Sequence, residues 1–120
     1  MIYDPNNIFA KILRGEIPCQ IVFESPYSLA FRDIAPKAPF HALLIPKGPY
    51  ICFDHFVTHA NATEQLDFNQ SLSNILIQNN LCIDGYRLIS NAGEHGLQEV
   101  PHYHVHILGG CVLGGLLPPA

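Results

Sequence analysis

Three histidines, His102, His104 and His106, occupy alternate positions in Glu99-Val100-Pro101-His102-Tyr103-His104-Val105-His106-Ile107-Leu108-Gly109-Gly110. The residues between them, Tyr103, Val105 and Ile107, are apolar, the period-two pattern of a β-strand with one face in a core. Side chains alternate between the two faces of a strand, so the three imidazoles share one side. Pro101 suits the entry to such a strand and Gly109-Gly110 its end. A core gains nothing from a row of polar rings, so the row asks for a chemical role.

Two chemistries compete for it. One is metal binding. Positions i and i+4 of a strand lie about 13 Å apart, at a rise of roughly 3.3 Å per residue. Zinc holds nitrogen at about 2.0–2.1 Å, so all three rings meet one ion only if the outer two lean steeply inward. Two of them with Cys52 or His55 make an easier set. The other chemistry is nucleophilic catalysis by the middle ring. A free histidine has a pKa of about 6.5, so much of it is neutral at pH 7. Attack requires one ring nitrogen bare and the other held by an acceptor. Flanking imidazoles can then donate to an oxyanion or phosphoryl oxygen as charge develops. A phosphoryl-histidine intermediate splits one displacement into two easier ones, which gives one nucleophile and several donors a use.

The chain that must position these rings has 120 residues, which predicts one domain over 1–120. Hydrophobic residues make up 48% and charged ones 13%, the balance of a folded protein with a real core. Ten acids against six bases give a formal charge of −4, which excludes a basic stripe for nucleic acid. A phosphate-bearing partner must therefore be small and held by local donors. Cys19, Cys52, Cys82 and Cys111 form no Cys-x-x-Cys pair and read as free thiols of a reducing compartment. Met1-Ile2-Tyr3-Asp4-Pro5 lacks the basic and apolar regions of a signal peptide. The apolar tail Ile107 to Ala120 is too short for a bilayer span and is broken by four glycines. These features predict a cytoplasmic protein with no membrane partner.

Along the chain, Asn6-Asn7 before Ile8-Phe9-Ala10-Lys11-Ile12-Leu13-Arg14-Gly15 reads as a short capped helix, with Ile8, Phe9 and Ile12 on one apolar side. Strands are expected at 20–24 and 29–32, joined through the turn Ser25-Pro26-Tyr27. Pro36 and Pro39 stiffen a loop that leads into a strand at 40–45. The unalternating run Ala42-Leu43-Leu44-Ile45 predicts that this strand is central and covered on both faces, with His41 at its entrance. Pro49 to His59 carries no clear period. Leu66, Phe68, Leu72, Ile75, Leu76 and Leu81 recur at helical steps and predict a longer helix over 61–81, with Thr63 and Glu64 in its first turn. Asp84-Gly85 is a turn before a strand at 86–91, and a polar loop then delivers the chain to the histidines. The fold class expected is α+β with a mainly antiparallel sheet.

His-x-His-x-His followed by two aliphatics and Gly-Gly, with Gln98 and Val100 just upstream, resembles the signature of the histidine-triad (HIT) superfamily. The resemblance covers nearly the whole chain and points to its Hint-like branch. Ile8 to Ile12 with Gly15-Glu16-Ile17-Pro18 is similar to that branch's amino-terminal helix. Phe31-Arg32-Asp33-Ile34-Ala35-Pro36 and Ala38-Pro39-Phe40-His41, ending Ile45-Pro46-Lys47, resemble its nucleotide pocket. Gly85-Tyr86-Arg87 through Asn91 and the closing Pro118-Pro119 fit as well.

The resemblance implies a five-stranded antiparallel sheet with one short and one longer helix, and a homodimer whose sheets join into ten strands. It implies hydrolysis or transfer of a nucleoside monophosphate through a nucleotidyl-histidine, with His104 as nucleophile and His102, His106, His41 and Gln98 in support. Ile8, Phe9, Ile12, Phe31 and Ile34 match the apolar slot for a purine. Asp33 matches the acceptor of the ribose hydroxyls and Asn91 the phosphate and ribose edge, and Glu99 and Val100 are expected among the nucleotide-binding residues. The expected partner is an AMP-type purine nucleotide, with no cofactor. The reaction expected is cleavage of a phosphorus–nitrogen bond in an adenosine 5′-phosphoramidate. A dinucleoside polyphosphate hydrolase and a nucleotide-binding module with incidental turnover are the alternatives.

The chain departs from the pattern in three places. Leu97-Gln98-Glu99-Val100 stands where Hint-like members often have Gly-Gln-Ser-Val, so a carboxylate replaces a hydroxyl that helps the leaving amine. The stretch Cys111 to Leu117 lacks the tryptophan often found near the Pro-Pro ending. Relatives with structural zinc carry two cysteines in the first helix, where this chain has Asn7 and Ala10, so no metal is expected.

Overall fold

The central strand β3 (Phe40–Pro46) is buried at every residue, because it lies third in a five-stranded sheet and is covered on both faces. The computed structural model describes residues 2–117. In it, β1 (Ile21–Glu24), β2 (Ser28–Arg32), β3, β4 (Tyr86–Ile89) and β5 (Val105–Gly109) pair antiparallel in the order β1-β2-β3-β5-β4. The expected closing Pro118-Pro119 motif lies outside the described residues.

Register decides what each face carries. Phe31 pairs with Leu43, Leu43 with His106, and His106 with Ile89, so these side chains point the same way. The other face presents Ala30, Ala42, Leu44, Val105 and Ile107 to α3 (Ala62–Gln78), whose Phe68, Ile75 and Leu76 complete the larger apolar cluster. The smaller cluster, Phe9, Leu29, Phe31, Leu43 and Ile45, lies under α1 (Ile8–Leu13) on the histidine side.

The first expected helix has the Asn cap its sequence suggests, and the second has a cap the sequence reading did not name. The Asn7 side chain accepts from the Ala10 amide at 2.9 Å, and Gly15 follows with φ +76°. Asn61 and Glu64 form a reciprocal capping box at the start of α3. The structure shortens the second helix, ending it at Gln78. Asn79-Asn80 breaks the run, Asn80 taking φ +56°, and α4 (Leu81–Asp84) adds a separate turn. A further helix, α2 (Phe53–His59), occupies the stretch without clear period; only its Phe56 is buried.

The histidine strand also starts later than the alternation suggests. The ladder begins at Val105, since Pro46 has no amide to offer where the register would bring Tyr103. Tyr103 instead donates its N–H to the Tyr50 carbonyl at 2.7 Å. Among the described residues no helix is long and apolar enough to cross a membrane.

Candidate active site

A cavity of about 780 Å³ opens on the α1 side of the sheet. It is floored by Phe31, His41, Leu43, His104, His106 and Leu108, and α1 walls it with Ile8, Phe9 and Ile12. Asp33 and Ile34 line it from the loop after β2, while Asn91, Leu97, Glu99 and Val100 line it from the loop before the histidines. Ile34 is almost wholly exposed and forms its rim. Phe9 meets Phe31 edge-on at 5.5 Å and the His104 ring edge-on at 5.0 Å, so the capped helix holds an aromatic wall directly against the middle histidine.

Hydrogen bonds assign a tautomer to each ring. His104 Nδ1 lies 2.7 Å from the His102 carbonyl, which can only accept, so Nδ1 carries the hydrogen and Nε2 is bare. That Nε2 has no protein partner, and no buried side-chain nitrogen among the described residues is left unsatisfied, so it is open to the cavity. His41 has the opposite arrangement. Its Nδ1 accepts the Lys37 amide at 3.0 Å, so Nε2 bears the hydrogen and points to His106 Nδ1 at 3.0 Å. His106 Nδ1 is thereby an acceptor, and His106 presents Nε2–H. One ring offers a lone pair and its neighbour a donor, with centroids 5.2 Å apart.

Burial keeps all four rings neutral at pH 7. Desolvation pushes His106 down to about 4, and in acid the repulsion of protonated His104 and His41 adds to the fall. It also lowers His41, against the pull of Asp33, whose Oδ2 is 3.5 Å from His41 Nε2. His104 is lowered by desolvation, countered by the His102 carbonyl and the charges of Asp33 and Glu99.

His102 and Gln98, expected among the catalytic set, do not line the cavity. His102 is fully buried and acts as a brace: Nε2–H donates to the Pro46 carbonyl at 2.8 Å and Nδ1 accepts the Tyr3 hydroxyl at 2.6 Å. Burial holds its pKa at about 4, while the Pro46 bond opposes that fall. Its backbone carbonyl, not its ring, serves His104. Gln98 fastens the preceding loop, donating to the Ile51 and Val100 carbonyls at 2.6 and 3.0 Å and accepting the Gly93 amide at 3.0 Å. Asn91 donates to the Gly96 carbonyl at 2.7 Å and still reaches the cavity. Leu97 sits in this loop with φ +57°, a backbone the usual glycine adopts freely.

Sequence reasoning missed Tyr3, the Lys37 amide and Leu116, which reaches the same cavity. Only tertiary structure joins them to the rings.

Asp33, His41 and His106 bring donor atoms within 4.8 Å of one another. A neutral imidazole ligating through Nε2 must carry its hydrogen on Nδ1, yet His41 Nδ1 faces the Lys37 amide hydrogen. The trio as arranged suits a hydrogen-bonded relay better than a metal cage.

The HIT domain family matches residues 14–111. The chain is 46% identical over 115 residues to a 13.2 kDa HIT-like protein of Azospirillum brasilense, covering 96% of this chain and 94% of that one. It is 42% identical over 113 residues to the purine nucleoside phosphoramidase of Escherichia coli K12, covering 92% of each. A histidine triad protein of Clostridium difficile superposes with a TM-score of 0.82 at 34% identity, over 97% of this chain and all of that one.

Proposed function

This chain belongs to the HIT family, and on that premise we propose that it hydrolyses purine nucleoside 5′-phosphoramidates, adenosine among them, through a nucleotidyl intermediate on His104. The observation that carries the reading is the bare, cavity-facing Nε2 of His104, its Nδ1–H anchored on the His102 carbonyl. Nε2 attacks phosphorus and the P–N bond breaks, with the leaving nitrogen taking a proton from water at the open mouth. The His102 carbonyl stabilises the imidazolium that forms. His106 Nε2–H, fixed by the relay from Lys37 through His41, donates to a phosphoryl oxygen as charge gathers there. Water then attacks phosphorus, its proton going to solvent, where it replaces the one the leaving nitrogen took; the bond to His104 breaks, the ring returns to its neutral form, and the nucleoside monophosphate leaves. The 42% identity to the Escherichia coli phosphoramidase supports the choice of leaving group.

Rate measurements on an adenosine phosphoramidate and on a diadenosine polyphosphate test it, with mass spectrometry of alkali-quenched enzyme for nucleotide on His104. The phosphoramidate is expected to turn over faster, with an adduct at that residue. Faster polyphosphate cleavage moves the activity to that class, and tight nucleotide binding without an adduct makes the chain a binding module.

The same proposal covers its setting. Residues 1–120 act as one domain, in the cytoplasm, where the four free cysteines Cys19, Cys52, Cys82 and Cys111 remain reduced. Two copies pair: β4 is an edge strand with Tyr86 and Leu88 exposed, and the tail exposes Val112 and Leu117. Light scattering at micromolar concentration is expected to give twice the 13.3 kDa chain mass; a monomer refutes the pairing.

A further inference from the structure

We propose that Glu99 selects substrates whose leaving amine carries a second, positively charged group; the inference rests on the phosphoramidase reading above. The cavity is electrically lopsided. Arg32, Asp33 and Lys37 line it from the β2–β3 side, while Glu99 is the charged residue of the opposite, 91–100 wall. Asp33 is engaged locally: Oδ1 accepts the Ala35 amide at 2.8 Å and Oδ2 lies 3.5 Å from His41. Glu99 is exposed, and among the described residues its carboxylate has no hydrogen bond and no ion pair. It cannot retreat by loop movement without cost, because the neighbouring Gln98 side chain ties this backbone to Ile51, Val100 and Gly93. Its charge is also felt at His104.

A fixed carboxylate beside a site for a phosphate repels the substrate unless something offsets it. Water offsets part. A cation on the departing half of the substrate offsets more, and is placed by the same bond that is to break. The attraction lowers the energy of the bound phosphoramidate and of its transition state alike, so it appears in kcat/KM and in binding together. Because Glu99 is wet, the effect is that of an exposed ion pair, about fivefold at low salt and less as salt rises.

The test compares two adenosine 5′-phosphoramidates of equal length, one of n-pentylamine and one of 1,4-diaminobutane, on the wild type and on Glu99→Gln. The wild type is expected to favour the diamine compound about fivefold in kcat/KM at low ionic strength. In Glu99→Gln the ratio of the two compounds is expected to fall to about one, whatever the absolute rates. A ratio near one in the wild type, or one that survives in Glu99→Gln, overturns the inference. Calorimetric binding of the same pair separates this from the reaction itself. A protein that cleaves neither compound, yet binds the diamine one more tightly only when Glu99 is present, refutes the phosphoramidase reading and keeps the contact. Equal binding of the two by wild type and variant removes it.

Discussion

Residues 102–108 hold two regions in one stretch of backbone, and apart from the half-buried His106 they are buried almost alike. Toward α3, Tyr103, Val105 and Ile107 are 5%, 6% and 0% exposed; toward α1, His102 and His104 are 0% and 6% exposed. What separates them is direction. Tyr103 stacks on Phe56 and Phe68 at 5.2 and 5.1 Å, within a cluster that asks only for apolar volume. Each imidazole nitrogen, by contrast, has an assigned partner or an assigned opening. The apolar side holds the sheet together, and the histidine side spends buried polar groups on keeping one lone pair and one donor in place.

The largest expected break in this comparison is His104→Ala. Turnover of a phosphoramidate should fall at least about a thousandfold while nucleotide affinity changes little, since the ring lines an open cavity. A variant keeping a tenth of wild-type kcat would end the assignment. Ile107→Ala is the mirror experiment on the other side. Chemical denaturation should show a loss of about 2–5 kcal/mol, whereas kcat per folded molecule should hold. A large drop in kcat with stability intact would mean that the two sides are not separable.

Acid should undo the histidine side first. Folded His102 and His106 titrate at about 4, below the about 6.5 of an unfolded histidine. Between those values the unfolded chain holds protons that the folded one refuses, so stability is intact above about pH 6.5 and is lost as pH falls toward 4. His102 alone accounts for about 3 kcal/mol of that slope. Urea midpoints that stay level from pH 7 to about 4.5 would refute it. Because desolvation also lowers His104, the acid limb of kcat/KM should lie below an unperturbed histidine's pKa.

The smallest effect sharpens the comparison at the loop. Leu97 is exposed and strained at φ +57°, so Leu97→Gly should leave stability unchanged or raise it by up to about 1 kcal/mol. If it lowers kcat/KM as well, the leucine is kept for its place on the cavity wall.

The sequence reveals most where the cause is local. Alternation about Val105 and Ile107, the unbroken run in β3 and the Asn7 cap all operate within a few residues, and their elements are found, although β5 starts later than the alternation suggests. Helix α2 escapes because its one buried residue, Phe56, leaves no period, and its N-cap Cys52 makes no capping hydrogen bond. Part of the cavity lining, such as Phe9, Asp33, His41 and His104, is nameable by resemblance, but Leu43, Leu108 and Leu116 are not, nor is the division of labour. His102 and Gln98 have their partners at Pro46 and Ile51, some fifty residues away, and Tyr3 meets His102 across 99 positions. No spacing rule encodes such pairs.

The pairing of Leu43 with His106 makes catalytic competence a counting problem. A one-residue slip of β5 would drive the imidazoles into the α3 cluster and expose aliphatics to the cavity. A two-residue slip keeps the faces but brings His104 to the place of His106, where the His41 ring would claim its nitrogen. The lone pair would vanish with every strand still formed. The bonds from His102 to Pro46 and from the Tyr103 amide to Tyr50 sit just ahead of β5 and fix the count before the ladder starts. A misregistered molecule would thus pass most tests of folding and fail the only one that involves phosphorus.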